Sequence, residues 1–208
     1  LDDGVYQLRY DFLDHNIGVV VGGESVLLID TRASHRQARE LKKDVGRITT
    51  LPVEWVVNSH FHWDHIIGYL GFAPFFCDWF TCNIHGKEDK LSIKEIFEHI
   101  HHYTFWPIEM PMYKAKFNLQ TFPPNGVQIS DSVKIQSLLH GHPNGANSYR
   151  LEIGDSVIVY CTDIEHPKDH LTPNAIEIAK DADVLINDAQ FTDEQLPNHK
   201  GWGHSSWQ

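Results

Sequence analysis

The run NSHFHWDH, Asn58 to His65, sets three imidazoles and a carboxylate within six residues, directly after the apolar segment VEWVV. A short buried strand that ends in such a cluster opens on a ligand site, because strand ends carry the sites of layered α/β folds. Alternate residues of extended backbone share a face, so His60 and His62 point the same way. Asp64 and His65, at the start of a helix, turn toward a second point. One loop therefore supplies ligands to each of two adjacent cations, and catalytic metal pairs stand ~3.5–4 Å apart. Imidazole nitrogen and carboxylate oxygen suit zinc, with manganese and iron as the alternatives for carboxylate-rich sites. Such a pair needs another His and a bridging carboxylate, both at strand ends. His142, in LLHGHPNGANSYRL, follows the expected strand Val133–Leu139, and Asp163, in VIVYCTDIEH, follows the expected strand Val157–Tyr160. His140 is the rival of His142. The competing reading is a chance cluster in a chain with 15 His.

The rest of the chain reads as alternating blocks of strands and helices. IGVVVGGESVLLID is a hairpin signal around Gly22 and Gly23. Ser34 to Val45 reads as a surface helix, with Gly46 as its end. Ser92 is an N-cap, and Ile93, Ile96, Phe97 and Ile100 recur at helical spacing. His99, His101 and His102 are expected to face solvent or line a cleft. Short strands follow over 127–129, 133–139, 148–153 and 157–160, with a turn at Gly154 and Asp155, a short helix from Ala175 to Lys180, and a buried strand in DVLIND. This order suggests two sheets packed together with helices outside, an αββα sandwich of the α+β class, within one domain over residues 1–208.

The ordered set HxHxDH over 60–65, then His142, then Asp163 resembles the signature of the metallo-β-lactamase superfamily of binuclear metal hydrolases, and the resemblance spans nearly the whole chain. It implies that His60, His62 and His142 hold one metal, that Asp64 and His65 hold the other, and that Asp163 bridges them. Asp64 would also orient the nucleophile. The HPNG turn resembles the family's third motif, which favours His142 over His140. The segments GVVVGGESVLLIDTRAS and WVVNSHFHWDH look like glyoxalase-II-like or lactamase-like members. The segments GHPNGANSYRLEIGDSVIVYCTDIEH and ADVLINDAQFTDEQLPNHKGWGHSSW look like the phosphodiesterase and ribonuclease Z side. There GHS resembles the His-Ser-Thr element whose His assists phosphoester cleavage, which makes His204 the implied proton donor and Ser205 a candidate helix cap. The family usually adds a final metal-binding His on a later strand. The chain stops at Gln208, so the expected fold is truncated at that end and the second metal site weak, with His204 as a stand-in ligand.

The implied function is hydrolysis of small phosphodiesters by a metal-activated water, with two divalent ions as cofactors. Lactones, thioesters and β-lactams are the alternative substrates, and a metal-binding module without turnover is the non-enzymatic alternative. With 17 Lys and Arg against 28 Asp and Glu, the net charge of −11 disfavours a phosphate backbone as partner. Lys87, Lys90 and Lys94, and separately Lys114 and Lys116, read as solvated faces. No apolar run approaches the ~18 residues of a membrane helix. LDDGVYQLRY has no basic n-region or apolar h-region. Cys77, Cys82 and Cys161 cannot all pair within one chain, and reduced thiols fit a cytoplasmic protein. The aromatic tracts FAPFF, DWF and YTFWPIEMPMY are a pocket wall, a homodimer interface or core.

Overall fold

The apolar runs on either side of Gly22 and Gly23 form the expected hairpin: β2 (Ile17–Val21) and β3 (Val26–Ile29) pair antiparallel, with Gly18 opposite Ile29 and Val21 opposite Val26. The computed structural model describes residues 4–10, 17–31, 35–86 and 91–207. The side chains of His35 and Asp64, and the positions Ser34, Lys87 and Lys90, lie outside the described residues.

The chain divides into two units, residues 1–121 and 122–208. In the first, a six-stranded sheet runs β1-β2-β3-β4-β5-β6. Its other strands are β1 (Val5–Leu8), β4 (Val53–Val57), β5 (Thr81–Gly86) and β6 (Lys116–Thr121). The first two pairings are antiparallel and those from β3 to β6 are parallel. All four residues of β3 are buried, the unbroken apolar pattern of a strand covered on both faces. Parallel pairing sets Ile29 beside Val57 and Val57 beside His85. The C-terminal ends of β3, β4 and β5 are thereby level, and Asp30, Asn58 and Gly86 stand there together.

Helix α1 (His35–Ile48) lays Leu41 and Val45 on Ile17, Val19, Val26 and Leu28. Contrary to the sequence expectation, Gly46 does not end it. Thr49 N donates to Val45 O at 2.9 Å, and the buried Leu41 and Val45 tie down the turns around the glycine, whose intrinsic helix penalty is only ~1 kcal/mol.

The four-residue helix α2 (Trp63–Ile66) follows β4. Helix α3 (Ile93–Ile100) starts where expected, at Ser92. Ser92 Oγ accepts from Glu95 N at 3.2 Å and Glu95 Oε2 accepts from Ser92 N at 2.8 Å, a capping box. The bond from Ser92 N, and after it the one that Ser92 Oγ donates to Glu95 Oε2 at 2.7 Å, hold the Glu95 carboxyl below its usual range. The cap's contribution is then present above the ordinary carboxylate range and lost as pH falls through the lowered value. Ser92→Ala is expected to lower the melting temperature by about 2–4 °C, read by circular dichroism at pH 7.

Ile93, Phe97 and Ile100 enter a core with Tyr69, Phe75, Phe80 and Tyr113. Phe75, fully buried, meets Phe117 with ring centroids at 4.6 Å and Tyr113 at 5.3 Å. The aromatic tracts are thus divided, since Trp79, Tyr103 and Phe105 are exposed. Of the three histidines expected to face solvent or line a cleft, His101 is buried, whereas His99 and His102 are exposed. It stands one turn beyond Phe97, stacks on that ring and donates from Nδ1 to Phe97 O at 2.8 Å. Burial pushes its pKa down, so it is neutral at neutral pH.

The second unit is a five-stranded sheet in the order β11-β10-β9-β8-β7, built from β7 (Val127–Ser130), β8 (Val133–His140), β9 (Ala146–Ile153), β10 (Ser156–Cys161) and β11 (Val184–Asn187). Helix α4 (Pro173–Ala179), opened by a proline, packs Ala175 and Ile178 on Val159, Cys161 and Ile164. DVLIND, expected to be a buried strand, is half-buried: Leu185 and Asn187 are exposed. The reason is its place at the edge of the sheet. Its pairing with β10 is parallel, with Cys161 beside Asn187, so Thr162, Asp163 and Asp188 emerge at the same end.

Candidate functional site

In the first unit, β4 delivers Asn58, Ser59 and His60 to the strand end, all nearly inaccessible to solvent. Asp30 lies beside them after β3, 1% exposed, in the left-handed region at φ 64°. Its Oδ1 accepts from Ser59 N at 2.8 Å and from Asn58 Nδ2 at 3.3 Å. Its Oδ2 accepts from Ser59 Oγ at 2.6 Å and faces His65 Nδ1 at 3.1 Å. Ser59 Oγ donates its only hydrogen bond to Asp30, so it accepts from His60 Nδ1 at 3.1 Å. Both rings therefore carry their proton on Nδ1 and leave Nε2 as a lone-pair donor, the tautomer a metal ligand needs. His62 precedes α2 with extended backbone, and its carbonyl accepts from His65 N at 3.0 Å. The ring centroid of His60 is 4.5 Å from that of His62 and 4.0 Å from that of His65. The loop thus gathers the rings of His60, His62 and His65. Asp64 belongs to α2, and its side chain lies outside the described residues. Gly86 leaves the room that Phe61 occupies: a Cβ there would stand 2.5 Å from Phe61 Cζ.

In the second unit, His142 opens the HPNG turn, where Asn144 and Gly145 have positive φ and Gly145 N donates to His142 O at 2.6 Å. His142 Nδ1 donates to Gly203 O at 3.0 Å, which again leaves Nε2 for a ligand. Gly203 admits no side chain, since its Cβ would stand 2.0 Å from His142 Nδ1 at φ +87°. The rival, His140, ends β8 buried, and burial pushes its pKa down to about 4. Its Nε2 has no hydrogen-bond partner among the described residues.

Asp163 follows β10 in the left-handed region at φ 55°, and its N donates to Asp188 Oδ2 at 3.0 Å. The same Oδ2 accepts from His204 Nδ1 at 2.7 Å, and Oδ1 accepts from Ser205 N at 2.9 Å and Gln190 N at 3.2 Å. His204 Nδ1 is also 3.9 Å from Asp163 Oδ1. Asp163, Asp188 and His204 bring one ligand atom each within 4.8 Å of one another. Among the described residues Ser205 caps no helix. Its Oγ donates to Ile164 O, and a bridge joins Phe191 to Ser206. The terminal loop is therefore stitched to the sheet's end.

Three residues that hold these groups escaped the sequence reading: Asp30, Asp188 and Glu165. The first two follow strand ends, in LLID and LIND, the same positional signal that singled out Asp163. Of the histidines after Asp163, His166 Nδ1 faces Thr172 Oγ1 at 3.2 Å, His170 is exposed, and His199 stacks on Phe191. The three cysteines are unpaired. Among the described residues, no helix is long and apolar enough to cross a membrane.

The donor set, imidazole Nε2 atoms backed by oxygen acceptors together with carboxylates at strand ends, fits divalent metal ions of the zinc type. A family model described as the metallo-beta-lactamase superfamily matches residues 10–204. Among solved structures, the metallo-beta-lactamase fold protein YhfI from Bacillus subtilis matches with a TM-score of 0.67 and 22% identity, over 98% of this chain and 75% of its own. Human tRNase Z, short form (ELAC1), matches with a TM-score of 0.65 and 13% identity, over 98% of this chain and 83% of its own. A diphosphatase from the PhnP family matches with a TM-score of 0.62 and 18% identity, over 92% of this chain and 64% of its own. No curated protein matches the chain by sequence. The α+β fold class read from the sequence is therefore borne out.

Proposed function

We propose that this chain, which belongs to the metallo-beta-lactamase superfamily of metal-dependent hydrolases, cleaves small phosphodiesters. The observation that carries the reading is the His204–Asp188 pair, 2.7 Å apart beside Asp163. An imidazole whose Nδ1 is held by a carboxylate presents Nε2 to hold a proton and give it to a leaving oxygen. Phosphodiesters with alkoxide leaving groups need that proton. The likeness to a diphosphatase and to tRNase Z supports the same class of chemistry, and the net charge of −11 favours a small substrate over a long nucleic acid.

By the resemblance of its motifs to the family's, His60, His62 and His142 would hold one metal ion, Asp64 and His65 a second, and Asp163 would serve both. When bound, divalent ions lower the pKa of a water toward ~7 and so supply the nucleophile at neutral pH. The chain's own residues do the rest. Asp30 and Ser59 keep His65 and His60 in the tautomer that leaves Nε2 available, Gly203 O does so for His142, and Asp188 aims His204. Zinc fits the imidazoles best. Three unpaired cysteines support a reducing, cytoplasmic setting.

The test is a panel of bis-para-nitrophenyl phosphate, a lactone, a thioester and a chromogenic β-lactam, run on metal-reconstituted protein. The expected result is turnover of the diester at least about tenfold above the others in kcat/KM. Faster turnover of any acyl substrate refutes the phosphodiesterase reading, and no turnover of any compound refutes the enzyme.

A further inference from the structure

Glu165 lies two residues beyond Asp163, and the ligand pattern gives it no role. Its backbone is fixed on both sides. Ile164 is fully buried, and Glu165 N donates to Gly141 O at 2.9 Å. Its carboxylate reaches across to the terminal loop. Gly201 N donates to both oxygens, Oε1 and Oε2, at 2.9 Å, and Gly203 N donates to Oε2 at 2.8 Å. Both glycines have positive φ, 84° and 87°, the kind of backbone in which nearby N–H groups gather around one anion. Hydrogen bonds to an ionised acceptor are roughly twice as strong as neutral ones. They matter here because a loop with glycines at 201 and 203 has the most backbone freedom to lose. The next residue is His204, and the carbonyl of Gly203 is the acceptor for His142 Nδ1.

We infer that Glu165 is a positioning residue: its carboxylate clamps Gly201 and Gly203 and so sets where His204 stands for proton delivery. This rests on the proposed phosphodiesterase reading. Asp188 fixes the rotation of the His204 ring and, through Ser205 N, the backbone that follows it, and Glu165 fixes the backbone that precedes it. With that preceding segment released, the imidazole shifts, and misplacement on the scale of an ångström costs about 10²-fold in rate.

The test compares Glu165→Gln and Glu165→Ala with the parent. Glutamine keeps the shape but has one acceptor oxygen in place of two and no charge. The first readout needs neither metal nor activity: the amide proton resonances of Gly201 and Gly203 are expected to move upfield in Glu165→Gln, with the rest of the spectrum kept. The second is kcat at saturating metal on two diesters, one with a para-nitrophenolate leaving group and one with an alkoxide. The alkoxide substrate is expected to slow about 10- to 100-fold and the para-nitrophenyl one less than about threefold, with KM changed less than about twofold. Added to His204→Ala, either substitution is expected to cost nothing further. Unmoved amide resonances overturn the clamp. Equal slowing of both diesters, full additivity with His204→Ala, or loss of the fold by circular dichroism overturns positioning in favour of a purely structural role. A parent that cleaves neither diester sinks the phosphodiesterase reading instead, and the clamp is then judged on the amide resonances alone.

Discussion

Asp163→Asn is expected to lower kcat on bis-para-nitrophenyl phosphate by about 10²- to 10³-fold, the scale of removing one preorganised electrostatic partner. The substitution is close to a pure change of charge. Asp163 sits at φ 55°, a conformation that asparagine adopts nearly as readily as aspartate. Its hydrogen bond to Asp188 Oδ2, at 3.0 Å, comes from the backbone and survives. The carboxylate is what goes, and a neutral amide is a poor ligand for two cations. His60, His62 and His142 remain, so metal content from elemental analysis is expected to fall by no more than one ion per chain, and the melting temperature of the metal-free chain by no more than about 2 °C. Parental turnover with parental metal content removes Asp163 from the site.

Asp30→Ala is expected to have the largest effect on the fold, about 3–5 kcal/mol, because several buried donors lose one acceptor at roughly 1–3 kcal/mol each. Asp30 is 1% exposed and holds Ser59 N, Ser59 Oγ, Asn58 Nδ2 and His65 Nδ1. Removing it takes from these buried donors the acceptor they share and puts alanine at φ 64°, where a Cβ without a polar side chain is disfavoured. For a chain of this size that is a fall of about 6–20 °C in the melting temperature of the metal-free protein. Asp30→Asn separates the two causes, because asparagine tolerates the backbone and loses only the charge. Zinc affinity is expected to drop about 10- to 100-fold in both variants, since His65 loses the carboxylate that sets its tautomer. A shift under about 2 °C for Asp30→Ala means that the network around Ser59 carries little of the stability.

What could be read from the linear chain was whatever neighbours in sequence decide among themselves. HxHxDH over 60–65 is a single loop, so its spacing alone brings His60, His62 and His65 together, and the strand before it is apolar enough to name. The β2–β3 hairpin, the Ser92 cap and the strands leading to His142 and Asp163 are local patterns of the same kind. Tertiary structure decided the supports. Asp30 meets Ser59 and His65 because β3 and β4 are parallel neighbours ending level, and Asp188 meets Asp163 because β10 and β11 are. Such pairings join segments some 25 to 35 positions apart, and periodicity carries no record of them. The same holds for β5, whose TCNIHG has neither clean alternation nor a long apolar run and becomes a strand only between β4 and β6. His101 went inside because Phe97, one turn earlier, took it there, and α1 ran through Gly46 because Leu41 and Val45 were buried. Glu165 shows the limit most sharply. In the sequence it is one of many acidic residues, and only the return of Gly201 and Gly203 to its carboxylate gives it a partner. The choice of candidate ligands was thus a matter of residue type and order, whereas the hydrogen bonds that set their tautomer and aim depended on which strand ends the sheet placed side by side.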